Sequence, residues 1–182
     1  MLAEKCKVAV FVSGGGTNLQ AILDSRGEII KNAEIYLVAS SSKDAYALER
    51  AKKHDIETFI IEDEQRLVEK LKSLEIDFIV LAGYLRILSE DFCKRYSNRI
   101  INVHPSLIPS FCGKGFYGLK VHEKALEYGV KVSGATVHFV NEIPDGGKII
   151  DQKAVRVHEG DTAEDLQKRV MAEAEHIILP QA

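Results

Sequence analysis

Tryptophan is absent from this 182-residue chain, cysteine occurs three times and proline four times. The cysteines, Cys6, Cys93 and Cys112, show neither C-x-x-C nor metal-ligand spacing. So sparse and odd a set predicts reduced thiols, not a disulfide framework. No apolar run approaches the roughly 20 residues of a membrane span. The stretch Val8-Ala9-Val10-Phe11-Val12 behind Lys5 and Lys7 is too short for the apolar core of a signal peptide. Basic charge is not in excess either: 24 Lys and Arg stand against 27 Asp and Glu, a net charge of -3 with pI near 6.1. That argues against a nucleic-acid-binding stripe. His122, His138, His158 and His176 lack paired metal-ligand spacing, so no metal site is expected. These absences predict a soluble cytoplasmic protein with no nucleic-acid or membrane partner. At 46% hydrophobic and 28% charged residues, its composition fits one ordinary globular domain over 1–182.

What is present alternates. Cys6 to Val12 is a β-branched run that breaks at Ser13-Gly14-Gly15-Gly16-Thr17-Asn18 and passes into a helical pattern with Leu19, Ile22 and Leu23 on one face. Strands are expected at 34–39, 56–61, 78–82 and 100–103. A helix with Ala45, Leu48 and Ala51 inside, another marked by Leu67, Val68, Leu71 and Leu74, and a third over 90–96 behind the N-cap Ser89 lie between them. This βα alternation predicts an α/β fold with a mostly parallel, twisted sheet. The second half differs in style. An irregular glycine-rich run over 110–118 and a helix over 120–128 precede two long strands, 130–140 and 148–157, expected to form a hairpin around 141–147. A last helix, capped at Asp161-Thr162, keeps Leu166, Val170, Ala174, Ile177 and Ile178 on one apolar face.

Parallel sheets bind ligands beyond the carboxyl ends of their strands. That rule places the Gly14–Gly16 loop, the 83–88 segment and the stretch Asn102-Val103-His104 along one edge. The glycine loop ends in no Gly-Lys-Ser/Thr, which excludes a P-loop. It continues Gly14-x-Gly16-x-x to Leu19 where a dinucleotide fingerprint needs glycine, and no ribose-binding acid follows the second strand. It reads as a phosphate or mononucleotide site, or as a plain tight turn. Asn102 and His104, two apart on a strand, face the same side. An amide can hold a carbonyl oxygen and an imidazole can stabilise the oxyanion it becomes. Alternatively, both are structural. Asp145, in Pro-Asp-Gly, is either a turn residue or the partner that orients the imidazole. Ser106 lies in no nucleophile elbow and is rejected as a nucleophile.

The runs Ser13-Gly-Gly-Gly-Thr-Asn18-Leu-Gln20, Leu81-Ala-Gly-Tyr-Leu-Arg86-Ile-Leu88, Asn102-Val-His104-Pro-Ser-Leu-Ile-Pro109, Val137-His-Phe-Val140 and Asp145-Gly-Gly147 occur in order. Together they closely resemble the folate-dependent phosphoribosylglycinamide formyltransferases of purine synthesis. The resemblance implies a formyltransferase-like fold with 10-formyltetrahydrofolate as co-substrate, glycinamide ribonucleotide as formyl acceptor and no metal. It implies that Asn102, His104 and Asp145 are catalytic, with Asp145 holding His104 charged. It implies that Gly16, Thr17, Asn18 and Glu175 bind glycinamide ribonucleotide. It also implies that Leu85, Arg86, Ile87, Leu88, Asn102, Val140 and Asn141 line the folate site. About 1–100 would then be a phosphate-binding half and about 101–182 a catalytic and folate-binding half, in a monomer or homodimer. The run Ser110 to Gly118 departs from the family, many members of which carry a shorter loop. The runner-up is formyltetrahydrofolate deformylase, which shares the trio but usually carries an N-terminal regulatory domain. This chain opens directly on its first strand.

Overall fold

The computed structural model describes residues 5–182. Five strands, β1 (Cys6–Val12), β2 (Ala33–Ser40), β3 (Glu57–Ile60), β4 (Phe78–Leu81) and β5 (Ile100–His104), alternate with four helices. These are α1 (Thr17–Asp24), α2 (Tyr46–Lys53), α3 (Glu64–Ser73) and α4 (Glu90–Arg95). The strands pair in parallel in the order β3-β2-β1-β4-β5. Their near-continuous apolar sequences follow from burial on both faces. Period-two alternation sends Val8, Val10 and Val12 to one side, against Leu19, Val38 and Val103. Ala9 and Phe11 go to the other, against Leu37, Leu67, Leu71 and Ile79. Ser89 caps α4 as its sequence position predicts, its hydroxyl accepting the Phe92 N–H at 3.1 Å. Ala45, expected on the inner face of α2, is buried but sits just before the helix as its extended N-cap residue.

After α5 (Leu119–Tyr128) the chain turns antiparallel: β6 (Val132–Phe139) pairs with β5, and β7 (Ile149–Arg156) pairs with β6. The expected hairpin forms and completes a seven-stranded sheet, β3-β2-β1-β4-β5-β6-β7. Strand order reverses between β1 and β4, the switch point at which an open α/β sheet leaves a crevice. The loops after β1, β4 and β5 open into it.

The final helical stretch is interrupted. Thr162 and Asp165 form a reciprocal capping box at the start of α6 (Ala163–Val170). A single π turn, Met171–Glu175, then leads into α7 (His176–Gln181). A π turn inserts one residue, so the face downstream rotates by one position. Ile178 and Leu179 are buried while Ile177, expected inside, is 38% exposed. Among the described residues no helix is long and apolar enough to cross a membrane.

Candidate active site

Gly16 is the N-cap residue of α1, in the left-handed region at φ 72°. A Cβ there would stand 2.6 Å from the Ala47 Cβ and 2.8 Å from its Cα. Left-handed strain and the clash add up, so Gly16→Ala is expected to cost about 2–4 kcal/mol of stability, read by chemical denaturation. No side chain caps α1, no acid lies in its first turn, and the first N–H to find a helical partner is that of Gln20, on the Gly16 carbonyl. The N–H groups of Thr17, Asn18 and Leu19 are the orphans of a helix start, and they attract an anion. The Thr17 hydroxyl donates to Met171 Sδ at 3.1 Å, and the buried Asn18 amide donates to Glu175 Oε2 at 2.6 Å. With its side-chain amide so committed, Asn18 has its backbone N–H left to offer an anion.

The π turn is what brings Glu175 there, since it turns the residue inward beside Ala174 and against Asn18. Glu175 is 6% exposed, and burial, opposed by the Asn18 bond, raises its pKa. A raised carboxyl stabilises the fold below its unfolded pKa, and that contribution is lost as pH rises through the folded value. Glu175→Gln is therefore expected to raise the melting temperature at pH 7.5. It should also flatten the gain in stability that the native protein shows on acidification toward pH 5.

The segment after β4 is pinned to its neighbours. Leu85 N–H donates to the Ser13 hydroxyl at 2.8 Å, and Ser13 Oγ lies 2.7 Å from Ser41 Oγ. Arg86 donates to the carbonyls of Ile61 at 2.9 Å and Ser41 at 2.8 Å. Arg86 is thus spent on holding the segment, which faces the crevice with backbone and apolar groups. Leu85 and Ile87 are 63% and 73% exposed there, and Leu88 is buried. Exposed apolar side chains along a crevice mark a surface that awaits a flat or greasy ligand.

Asn102 and His104 close the end of β5. Opposite them on β6, in antiparallel register, stand His138 and Thr136. His138 Nδ1–H donates to the Phe139 carbonyl at 2.8 Å. Its Nε2 lies 3.2 Å from Asn102 Nδ2. In the sequence His138 has no metal-ligand spacing and stands out only within the run Val137-His-Phe-Val140. The signal that finds it is strand register, because Asn102 pairs with His138 once β5 and β6 are neighbours.

Asp145 arrives from the 141–147 loop with φ 55°, a conformation aspartate tolerates better than most residues. The loop is pressed on the strand end: a Cβ on Gly147 would lie 1.7 Å from the Phe139 carbonyl oxygen. Asp145 Oδ2 accepts the Gly113 N–H at 2.8 Å and lies 3.5 Å from His104 Nδ1, while Oδ1 lies 3.6 Å from His138 Nε2. Burial works to raise the Asp145 carboxyl, but His138, His104 and the Gly113 N–H outweigh it, and its pKa falls below the ordinary value. It is a carboxylate at neutral pH. His104 moves the other way. Burial lowers its pKa by more than Asp145 and the Phe111 carbonyl raise it. In the free protein burial, at 5% exposure, thus works against the charge that Asp145 favours on His104. His104 Nε2–H donates to the Phe111 carbonyl at 2.9 Å, which leaves the Nδ1 lone pair toward Asp145. Behind His104, fully buried His122 has its pKa pushed down to about 4 by burial and by His104, and it adds no competing charge.

These groups line one cavity of about 570 Å³. Gly16, Thr17, Asn18 and Glu175 stand on one side of it, and Leu85 to Leu88, Val140 and Asn141 on another, with Asn102, His104, His138 and Asp145 also in its wall. The volume suits a small-molecule site. Among the described residues no group of three or more His, Cys, Asp or Glu could hold a metal ion. The arrangement offers anion-binding amides, an apolar slot and an imidazole with a carboxylate 3.5 Å from its Nδ1 and an amide beside it, which is equipment for acyl transfer.

A family model described as formyl transferase matches residues 6–182. The chloroplastic phosphoribosylglycinamide formyltransferase of Arabidopsis thaliana is 41% identical over 177 residues, covering 92% of this chain; the chain spans 61% of that relative's length. The enzyme of the same name from Haemophilus influenzae is 40% identical over 185 residues, covering 96% of this chain and 84% of that protein. The crystal structure of phosphoribosylglycinamide formyltransferase from Anaplasma phagocytophilum superposes with a TM-score of 0.90 at 37% identity, over 98% of this chain and 84% of that one. A formyltetrahydrofolate deformylase from Pseudomonas syringae is also similar, with a TM-score of 0.83 at 28% identity, over 98% of this chain and 61% of that one. The chain belongs to the formyl transferase family.

Proposed function

We propose that the protein transfers the formyl group of 10-formyltetrahydrofolate to the amine of glycinamide ribonucleotide, giving formylglycinamide ribonucleotide and tetrahydrofolate, in purine synthesis. The observation that carries this reading is the position of the Asn102–His104–His138–Asp145 cluster in one cavity with an anion-binding loop and an apolar slot. Such a cavity accommodates a phosphorylated amine and a folate at once. The uncapped start of α1 with Gly16, Thr17 and Asn18 takes the ribonucleotide phosphate, Glu175 beside Asn18 contacts the same substrate, and its amine reaches the Asn102–His104–Asp145 cluster. The pterin lies along Leu85, Arg86, Ile87 and Leu88, with Val140 and Asn141 over it. The first half of the chain, about 1–100, supplies the phosphate loop, and the second, about 101–182, supplies the catalytic groups.

The amine attacks the formyl carbon, and negative charge develops on the formyl oxygen. The free N–H of the Asn102 amide and the Nε2–H of His104, now given to Phe111, are the donors that oxygen receives. Each such donor is typically worth about 3 kcal/mol in the transition state. His104 starts neutral. As charge grows on the oxygen, its imidazole gains basicity on one side from that oxygen and on the other from the Asp145 carboxylate 3.5 Å away. The proton released by the amine passes to the Asp145 carboxylate, is shared with His104 Nδ1 3.5 Å away, and is returned to the folate nitrogen as the C–N bond breaks. Deformylation would use the same cluster with water in place of the amine. The uncapped, anion-binding start of α1, for which water has no use, favours the phosphorylated amine as acceptor. The test supplies the purified protein with isotopically labelled formyl-folate and glycinamide ribonucleotide. Label is expected in the ribonucleotide; label recovered as free formate would overturn the reading.

A further inference from the structure

Behind the glycine loop stands a cation that the reaction above does not use. Arg50, half-buried on α2, donates Nε–H to the Gly15 carbonyl at 2.8 Å and Nη1–H to Gln20 Oε1 at 2.9 Å. Its guanidinium lies 5.1 Å from the Tyr46 ring centroid, stacked where a planar cation is favoured. One turn earlier on the same helix, the Ala47 N–H donates to the Gly14 carbonyl at 3.1 Å. Helix α2 therefore draws two successive carbonyls, those of Gly14 and Gly15, toward itself. In a trans peptide the carbonyl and the following N–H point in opposite directions. The N–H groups of Gly15 and Gly16 are in consequence turned away from α2, toward the cavity that both residues line. Two consecutive N–H groups facing one way, followed by the orphan amides of α1, make a concave anion nest.

We propose that Arg50 is the positioning residue of the phosphate subsite, fixing the Gly15–Gly16 peptide so that its N–H faces the phosphate and placing a fixed positive charge behind it. This rests on the reading that the loop takes the phosphate of glycinamide ribonucleotide. The position is one where sequence alone sees a solvated helix face. A guanidinium is suited to it because its planar fork serves the carbonyl and the Gln20 amide together, which a lysine ammonium on a flexible stem does not.

The experiment compares the full chain with Arg50→Met and Arg50→Lys in steady-state transfer, with inorganic phosphate as a competitive probe against the ribonucleotide. Losing a charge-assisted hydrogen bond of this kind is expected to raise both the KM for ribonucleotide and the Ki for inorganic phosphate about tenfold in R50M. kcat should stay within about twofold and the KM for folate should not move, since neither touches the loop. R50K should recover little of the loss. Unchanged phosphate inhibition in R50M, a parallel fall in kcat and in folate affinity, or full recovery in R50K would each overturn the proposal. Should R50M fail to fold, Gln20→Leu removes the second acceptor alone. A smaller rise in the same two constants is expected, and no change would count against the proposal. Calorimetric binding of inorganic phosphate to native protein and R50M tests Arg50 even if native protein transfers no formyl group, which separates failure of this inference from failure of the functional reading.

Discussion

Replacing His104 by alanine is expected to lower kcat for formyl transfer about 1000-fold while leaving a folded protein. Two losses combine. The Nε2–H donor to the developing oxyanion disappears, and so does the group that stores the amine's proton beside Asp145. The structural price is small by comparison, one hydrogen bond to the Phe111 carbonyl of about 1 kcal/mol and a small void. Far-UV circular dichroism and the denaturation midpoint should therefore stay close to native while turnover collapses. Because the lost interactions form in the transition state, the fall should appear in kcat and kcat/KM alike. A kcat near the native value would remove His104 from the chemistry.

Asp145→Asn is expected to lower kcat about 100-fold or more, with little change in either KM. Asparagine is the informative substitution. It tolerates the φ of 55° that alanine would resist, and its Oδ1 can still accept the Gly113 N–H. What it lacks is charge. Without a carboxylate 3.5 Å from Nδ1, the imidazolium that forms during attack has no counter-charge in a buried site where desolvation already lowers the His104 pKa. Burial would then act on His104 unopposed by its partner, and protonation of the imidazole should shift to still lower pH. An NMR titration of the His104 ring in D145N would show that displacement, whereas a purely structural Asp145 would leave it in place. Near-native kcat in D145N would remove the carboxylate from its assigned role.

Much of the fold was legible because each signal was local. The βα alternation and the apolar strands follow from periodicity, and the Ser89 and Thr162 caps from residue type. Asn102 and His104 were legible as a pair because two residues on one strand share a face without any knowledge of its neighbours. The rest of the site depends on tertiary relations. His138 joins Asn102 through the antiparallel register of β5 and β6, which no spacing in the chain announces. Arg50 reaches Gly15 across the crossover from β1 to α2, from a position that reads as a solvated helix face. The π turn that carries Glu175 inward and Ile177 outward leaves the apolar pattern nearly unchanged, because Ile177, Ile178 and Leu179 are interchangeable as hydrophobes. Asp145 is visible in the sequence as a partner for His104, but the burial that outweighs it is set by tertiary packing.

The most direct measurement of the account as a whole is the rate of tetrahydrofolate release from 10-formyltetrahydrofolate with and without glycinamide ribonucleotide. Acceptor-dependent release, matched mole for mole by formylated ribonucleotide, is the predicted result. Equal rates in the presence and absence of the acceptor would contradict it and identify water as the acceptor.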